Sequence, residues 1–316
     1  MDLIYLYAAI FFCMLSLPVG IAFLYHVKKP AEPMYINQNK TRDPRFFANN
    51  FNKMIDNAVI NCEKSKITIN GKEEKFINSD TDSNFSNSVD RLVLAFDKDL
   101  LVPSNVTTLK KAVYAKKNIM ICDSEVVCDT MYAQESIYLK KPVIVDGWVD
   151  AKEHLVATDG CDLGKSASSQ HKITLTGRVE FRRLYAPSIH CGEGLEDCLF
   201  DFKSIVTKED YISKSSITLK KNTKFIGDIR SYKDIVIEDN TIMKGNVFAD
   251  GNITIGKNCL IYGTIFSQES IEIGEGSIIG QSGAIRSVIA RGTVILNPNC
   301  IIYGYISCEK GGCKKG

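Results

Sequence analysis

Eleven cysteines and four histidines are the side chains in this 316-residue chain best suited to metal ligation or nucleophilic chemistry. Their spacing does not gather them. The cysteines are odd in number and lack any C-x-x-C pair, and Cys62, Cys122, Cys128 and Cys161 fall too irregularly for a tetrahedral zinc site. Scattered in this way they fit reduced thiols in a cytosol better than a disulfide framework. A histidine acting as general base would have to be His26, His154, His171 or His190. Carboxylates do not form a ladder either, because the places of Glu238-Asp239 at i+18 and i+36 are taken by Gly256-Lys257 and Gly274-Glu275. Polysaccharide cleavage needs acidic residues together on one face. Gly274-Glu275-Gly276 opens no helix that could cradle a phosphate. A net charge of +2, with 39 basic and 37 acidic residues, gives no field for binding a nucleic-acid backbone. The expectation is therefore no catalytic residue, no cofactor, no metal and no nucleic-acid partner.

The elements around these residues begin with an apolar run. Leu3 to Val27 is a stretch of mainly Leu, Ile, Phe, Tyr, Ala and Val, long enough to span a bilayer with some tilt. A cleaved signal peptide would have basic residues before the run and a small-residue cleavage site, and neither is present. Pro18 and Gly20 are tolerated within transmembrane helices. Lys28, Lys29, Lys40, Arg42 and Arg45 all follow the run, so residues 1–27 read as a single transmembrane helix with the body in the cytoplasm.

Residues 28–43 read as a polar tether. Residues 44–112 read as a small mixed α/β region. Asp43-Pro44 supplies a helix start, and Phe47, Phe51, Met54, Ile55 and Ala58 lie on one face of a helix over 44–60 that packs on the protein. Ile67 to Ile77 reads as a hairpin around Asn70-Gly71. Residues 79–88 form a polar loop, and Leu92, Leu94 and Phe96 alternate as in a strand.

A repeat at i, i+18, i+36 organises the remainder. The pairs Ile217/Leu219, Ile235/Ile237, Ile253/Ile255 and Ile271/Ile273 recur at that spacing, and Val294/Leu296 continues the series after a five-residue insertion. Ile217, Ile235, Ile253, Ile271 and Val294 thus form one inward column. Three positions beyond each pair stand Asn222, Asn240, Asn258, Gly276 and Asn299, types that tolerate the left-handed backbone of a tight corner. The same register runs upstream through Ile119, Ile137, Leu155 and Ile173, preceded by Val113, Met131 and Val149. The fold class is all-β, a parallel β-helix whose strands pair with their equivalents one turn later. It comprises a first block at 113–190 with a polar insert at 158–170, a joint at 191–215 and a second block at 216–308. Residues 309–316 read as a flexible tail. Thr223, Thr241, Cys259, Ser277 and Cys300 share a small-residue column, in which the two cysteines lie two turns or about 10 Å apart, too far for a disulfide.

Residues 216–308, with their I-x-I-x-x-N pattern and GDI at 227, GNV at 245 and GTI at 263, resemble the bactofilins, polymer-forming cytoskeletal proteins. The resemblance implies a right-handed β-helix, nucleotide-independent end-to-end polymers, membrane association and scaffolding of cell-envelope proteins. The sequence departs from that family in its full transmembrane run, the long segment between that run and the repeats, and its two repeat blocks.

The last turn runs directly into a short Gly, Lys and Cys tail, so this end reads as open, and an unpaired strand edge is a template for another copy. Tyr303, Tyr305 and Ile306 are the expected self-assembly residues. The rival reading is a membrane-tethered acyltransferase of the left-handed, hexapeptide-repeat type, since the repeat is the length of three hexapeptides. All four histidines lie outside 216–308, which leaves that block without a base.

Overall fold

The computed structural model describes residues 43–59, 66–69, 71–81, 85–192, 205–208 and 210–316, with single helical positions at 7, 11, 14, 16 and 17. The chain divides into two units, Met1–Asp43 and Pro44–Gly316, and the architecture below is that of the second. No helix among the described residues is long and apolar enough to cross a membrane. Apart from those single positions, the apolar run at 3–27 and the tether at 28–42 lie outside the described residues.

Alternating aliphatic residues, three to a strand, produce a β-solenoid of about 12 turns, accompanied among the described residues of this unit by one short helix, Phe46–Val59. Ile217, Ile235, Ile253, Ile271 and Val294 pair in register as parallel neighbours and are at most 4% exposed. The residues between them, such as Thr218 and Thr254, point to solvent. In the C-stack the corner after face B is turned by a left-handed residue: Asn222, Asn240, Asn258 and Asn299 adopt φ of 54 to 61°, with Gly276 at 69°. The five-residue insertion makes a small excursion closed by an isolated Gln281–Ala284 bridge.

Each turn has three faces. Face A carries Val113–Ala115, Met131–Ala133 and Trp148–Ala151 upstream, and Ile229–Ser231, Val247–Ala249 and Ile265–Ser267 downstream. Face B follows with strands such as Ile119–Ile121 and Ile235–Ile237, and face C with Val126–Cys128 and Ile242–Lys244. We call the two runs of turns the N-stack, residues 88–190, and the C-stack, residues 205–314.

Four boundaries differ from the sequence reading. The N-stack starts before residue 113, because Val93 pairs with Val113 and Leu100 with Ile119, i+20 and i+19 spacings that a fixed i+18 register overlooks. Among the described residues of 44–112, the helix and the hairpin of Lys66–Ile69 with Lys72–Asn78 stand outside the three-faced turns, and the second hairpin strand pairs in parallel with residues 92–94. Residues 158–170 are not a projecting insert. Cys161–Asp162 and Ser166–Ser169 are ladder strands, and the stretch looks polar because small side chains turn inward, Ser169 donating to the Glu153 carbonyl at 2.6 Å. Of the joint at 191–215, Ile205–Lys208 and Tyr211–Ser213 already belong to the first turn of the C-stack.

The fourth difference changes the molecule's plan. Residues 309–316 are no free tail: Ile301–Lys314 is one 14-residue strand that wraps all three faces of the last C-stack turn. Val179–His190 does the same for the last N-stack turn. The two long strands pair antiparallel, from Val179 with Lys314 through Leu184 with Ile306 to His190 with Ile301. The stacks therefore meet C-terminal end to C-terminal end, and one apolar core continues from Val89 to Cys308. Face A meets face A across this junction, as a two-fold relation between the stacks requires.

Candidate assembly surfaces

The ends of a β-solenoid and its outward columns are where it can meet other molecules, since the core is filled. Tyr303, Tyr305 and Ile306, expected at an open end, lie in the internal junction. Ile306 is fully buried opposite Leu184, Tyr303 is 6% exposed and Tyr305 pairs with Tyr185. Their edge is consumed within the chain because the N-stack presents a terminal turn of the same shape. The junction is invisible to a repeat search, as antiparallel partners far apart in the chain share no period.

The outer end of the C-stack is different. Tyr211 and Ile217 donate their N–H groups to the next turn, to Asp228 and Asp234, while Ser213 and Leu219 accept from Tyr232 and Glu238. Successive residues of a strand direct their backbone groups to opposite sides. The N–H and C=O of Ile212 and Thr218 therefore point outward, where no described strand pairs with them. Tyr211 and Ile212 are also exposed side chains. The outer end of the N-stack is closed by its own chain. Asp80 accepts from the backbone N–H of Phe96, Asp97 and Lys98 at 2.7 to 3.1 Å, and Phe85 and Ile77 pack onto the core.

Face A of the N-stack is clothed by the helix. Its outward column runs Leu94, Tyr114, Tyr132, Asp150 and Ser168, all buried. Phe51 sets its ring edgewise to Tyr114, Tyr132 and Trp148 at 5.7 to 6.4 Å, and the two tyrosines stack at 5.6 Å. The Tyr114 hydroxyl donates toward Asn52 and Asp56 of the helix. At the other end of the helix, Arg45 forms a forked pair with Asp150, which is fully buried and also accepts from Ser168 at 2.5 Å. Burial raises both phenols, Tyr132 to about 12 and Tyr114 further. The sequence shows Asp150 as a carboxylate between Val149 and Ala151, but nothing local connects it to Arg45.

Of the residues weighed for chemistry, His26 and Cys62 lie outside the described residues, and the others form no common site. His154 and His171 are exposed with ring centres 6.1 Å apart on face B, and His190 is buried at the junction beside Ser188. Among the described residues no group of three His, Cys, Asp or Glu side chains is placed to hold a metal. Cys259 and Cys300 are free thiols in the wall, raised by burial to about 11 and about 12. Comparison with known protein families, characterised proteins and solved structures finds no match for this chain.

Proposed function

We propose that this is a non-enzymatic scaffold protein of the bactofilin kind, anchored in the cell membrane through residues 3–27, with its β-helix at the cytoplasmic face. It assembles with copies of itself without nucleotide and organises cell-envelope proteins. The observation that supports self-assembly is the junction: two stacks joined end to end by a full turn of antiparallel hydrogen bonds over a continuous core. A terminal turn of this repeat is thus a competent partner for another. The intact chain has already used both C-terminal ends, so among the described residues the outer edge at Tyr211–Ser213 and Ile217–Leu219 is the one offered to a second copy. Anchoring rests on the length of the apolar run, and orientation on the basic residues that follow it.

The test exploits the direction of the outer edge. Proline lacks an N–H, and at a strand position whose N–H faces outward it removes nothing from the fold. The full chain carrying Ile212→Pro and Thr218→Pro should remain folded and lose the large assemblies that the parent forms in sedimentation and electron microscopy. Assembly unchanged by the pair would remove the edge from the proposal, and a parent that never assembles would remove self-assembly. Orientation has its own readout: in intact cells the half-buried Cys122 and Cys313 should resist an impermeant thiol reagent yet react once the membrane is opened.

A further inference from the structure

The two-fold relation at the junction assigns every outward position of the N-stack an equivalent in the C-stack. Counted outward from the junction on face A, Ser168, Asp150, Tyr132, Tyr114 and Leu94 correspond to Ile289, Phe266, Phe248, Arg230 and Ile212. The first set is buried beneath the helix, whereas every member of the second is exposed or half-exposed, and none of the described elements lies over it. Phe248, Phe266 and Ile289 line a shallow trough of about 430 Å³ with Arg230 at one end.

We propose that face A of the C-stack is a docking site for an amphipathic helix of a partner protein. This goes beyond assembly, since it concerns a face and not an end. The covered face shows what fits. A helix of 14 residues reaches about 21 Å, and the four strand spacings from Leu94 to Ser168 come to about 19 Å. The column of Phe248, Phe266 and Ile289 is more apolar than the one already covered, so the partner helix presents an apolar stripe at i, i+3, i+4 and i+7. Charge sets the rest. Arg230 occupies the place of Tyr114, which faces Asp56 in the last turns of the covering helix, so the partner carries a carboxylate there. Phe266 occupies the place of Asp150, so the partner has an apolar residue where the covering helix has Arg45. A second copy's own helix fits poorly on this count, and its Ile55 is already fully buried on its own N-stack.

The probe is a fluorescent peptide of residues 44–59 bearing Arg45→Leu, titrated into the purified full chain in lipid nanodiscs and read by anisotropy. Saturable binding is expected, weakened at least about tenfold by Phe266→Lys, a loss of roughly 1.4 kcal/mol. Arg230→Glu should weaken it as well, and a peptide with the added change Asp56→Lys should recover binding to that variant only. The charge swap decides the matter if Phe266→Lys disturbs the fold. Absence of saturable binding, or binding indifferent to both variants, overturns the proposal. Self-association abolished by Phe266→Lys would give the face to a second copy and overturn the partner helix.

Discussion

The N-stack and the C-stack are built on one inward plan and dressed differently outside. Ile137 and Leu155 in one, and Ile253 and Ile271 in the other, are all fully buried in parallel registers. On face A the N-stack has Tyr114, Tyr132 and Asp150 beneath a helix, while the C-stack has Arg230, Phe248 and Phe266 in solvent reach. At the outer ends, the N-stack is closed by Lys72–Asn78, Asp80 and Phe85, and the C-stack ends with the outward backbone groups of Ile212 and Thr218. The inward column decides that a solenoid forms. What it meets is decided by the outward column and the last turn.

The most severe way to probe this is from inside. Ile253→Asp places a carboxylate between Ile235 and Ile271 and removes a buried isoleucine, a combined loss expected to exceed about 5 kcal/mol. Nearest-neighbour stacking spreads the damage through the C-stack. The single tryptophan, Trp148, lies under the helix on the N-stack and reports on that half alone. Circular dichroism of the variant should show an early transition through which Trp148 emission stays constant. Unfolding like that of the parent would show that position 253 does not face inward.

The first partner-setting feature to test is the ion pair under the helix. Asp150→Ala leaves Arg45, a residue only 8% exposed, buried without its carboxylate. Removal of one partner from a buried pair costs about 3 kcal/mol or more. Trp148 emission should shift red at a lower denaturant concentration than in the parent, with the C-stack transition unmoved. Replacing both residues with leucine should recover most of the loss, since an apolar pair of similar size needs no compensation.

Legibility in the sequence depends on what carries period. Ile217 through Val294 and the asparagine corners repeat at i+18 with one insertion, so sequence alone places them on a strand face and at a bend. The first N-stack turns escape that register because their i+19 and i+20 spacings slip against it. Cys161, Ala167 and Ser169 hide an ordinary turn inside a polar-looking stretch, since a solenoid wall accepts any small side chain that completes its hydrogen bonds. The junction and the Arg45–Asp150 pair are illegible for another reason. They join residues far apart in the chain, and only the closed fold brings such partners together.

The two stacks should also part at alkaline pH. Tyr132 has its phenol raised from 10.0 to about 12, chiefly by burial, and Tyr114 is raised further. A group whose folded pKa exceeds its unfolded value lends stability that is complete below the unfolded value and is lost as pH rises through the folded one. The helix-covered face should therefore hold up to about pH 10 and weaken between there and about pH 12. Trp148 emission followed across that window should show the loss, and Tyr132→Phe should reduce it. A parent indifferent to this range would show that the phenols ionise without disturbing the helix.

The smallest effect separates the corners. Asn222, Asn240 and Asn258 follow face B in the C-stack with positive φ, whereas Ser124 and Pro142, three positions beyond Ile121 and Leu139 in the N-stack, are not among the positive-φ residues. An alanine in the left-handed region costs about 1 kcal/mol, while glycine enters it without steric penalty. Asn240→Ala should therefore lower C-stack stability by about 1 kcal/mol and Asn240→Gly by much less. Ser124→Ala, at the equivalent N-stack corner, has no such backbone to strain and should leave the N-stack transition within about 0.5 kcal/mol of the parent. Equal losses from Asn240→Ala and Asn240→Gly in chemical denaturation would mean that the asparagine side chain, and not its backbone conformation, holds the corner.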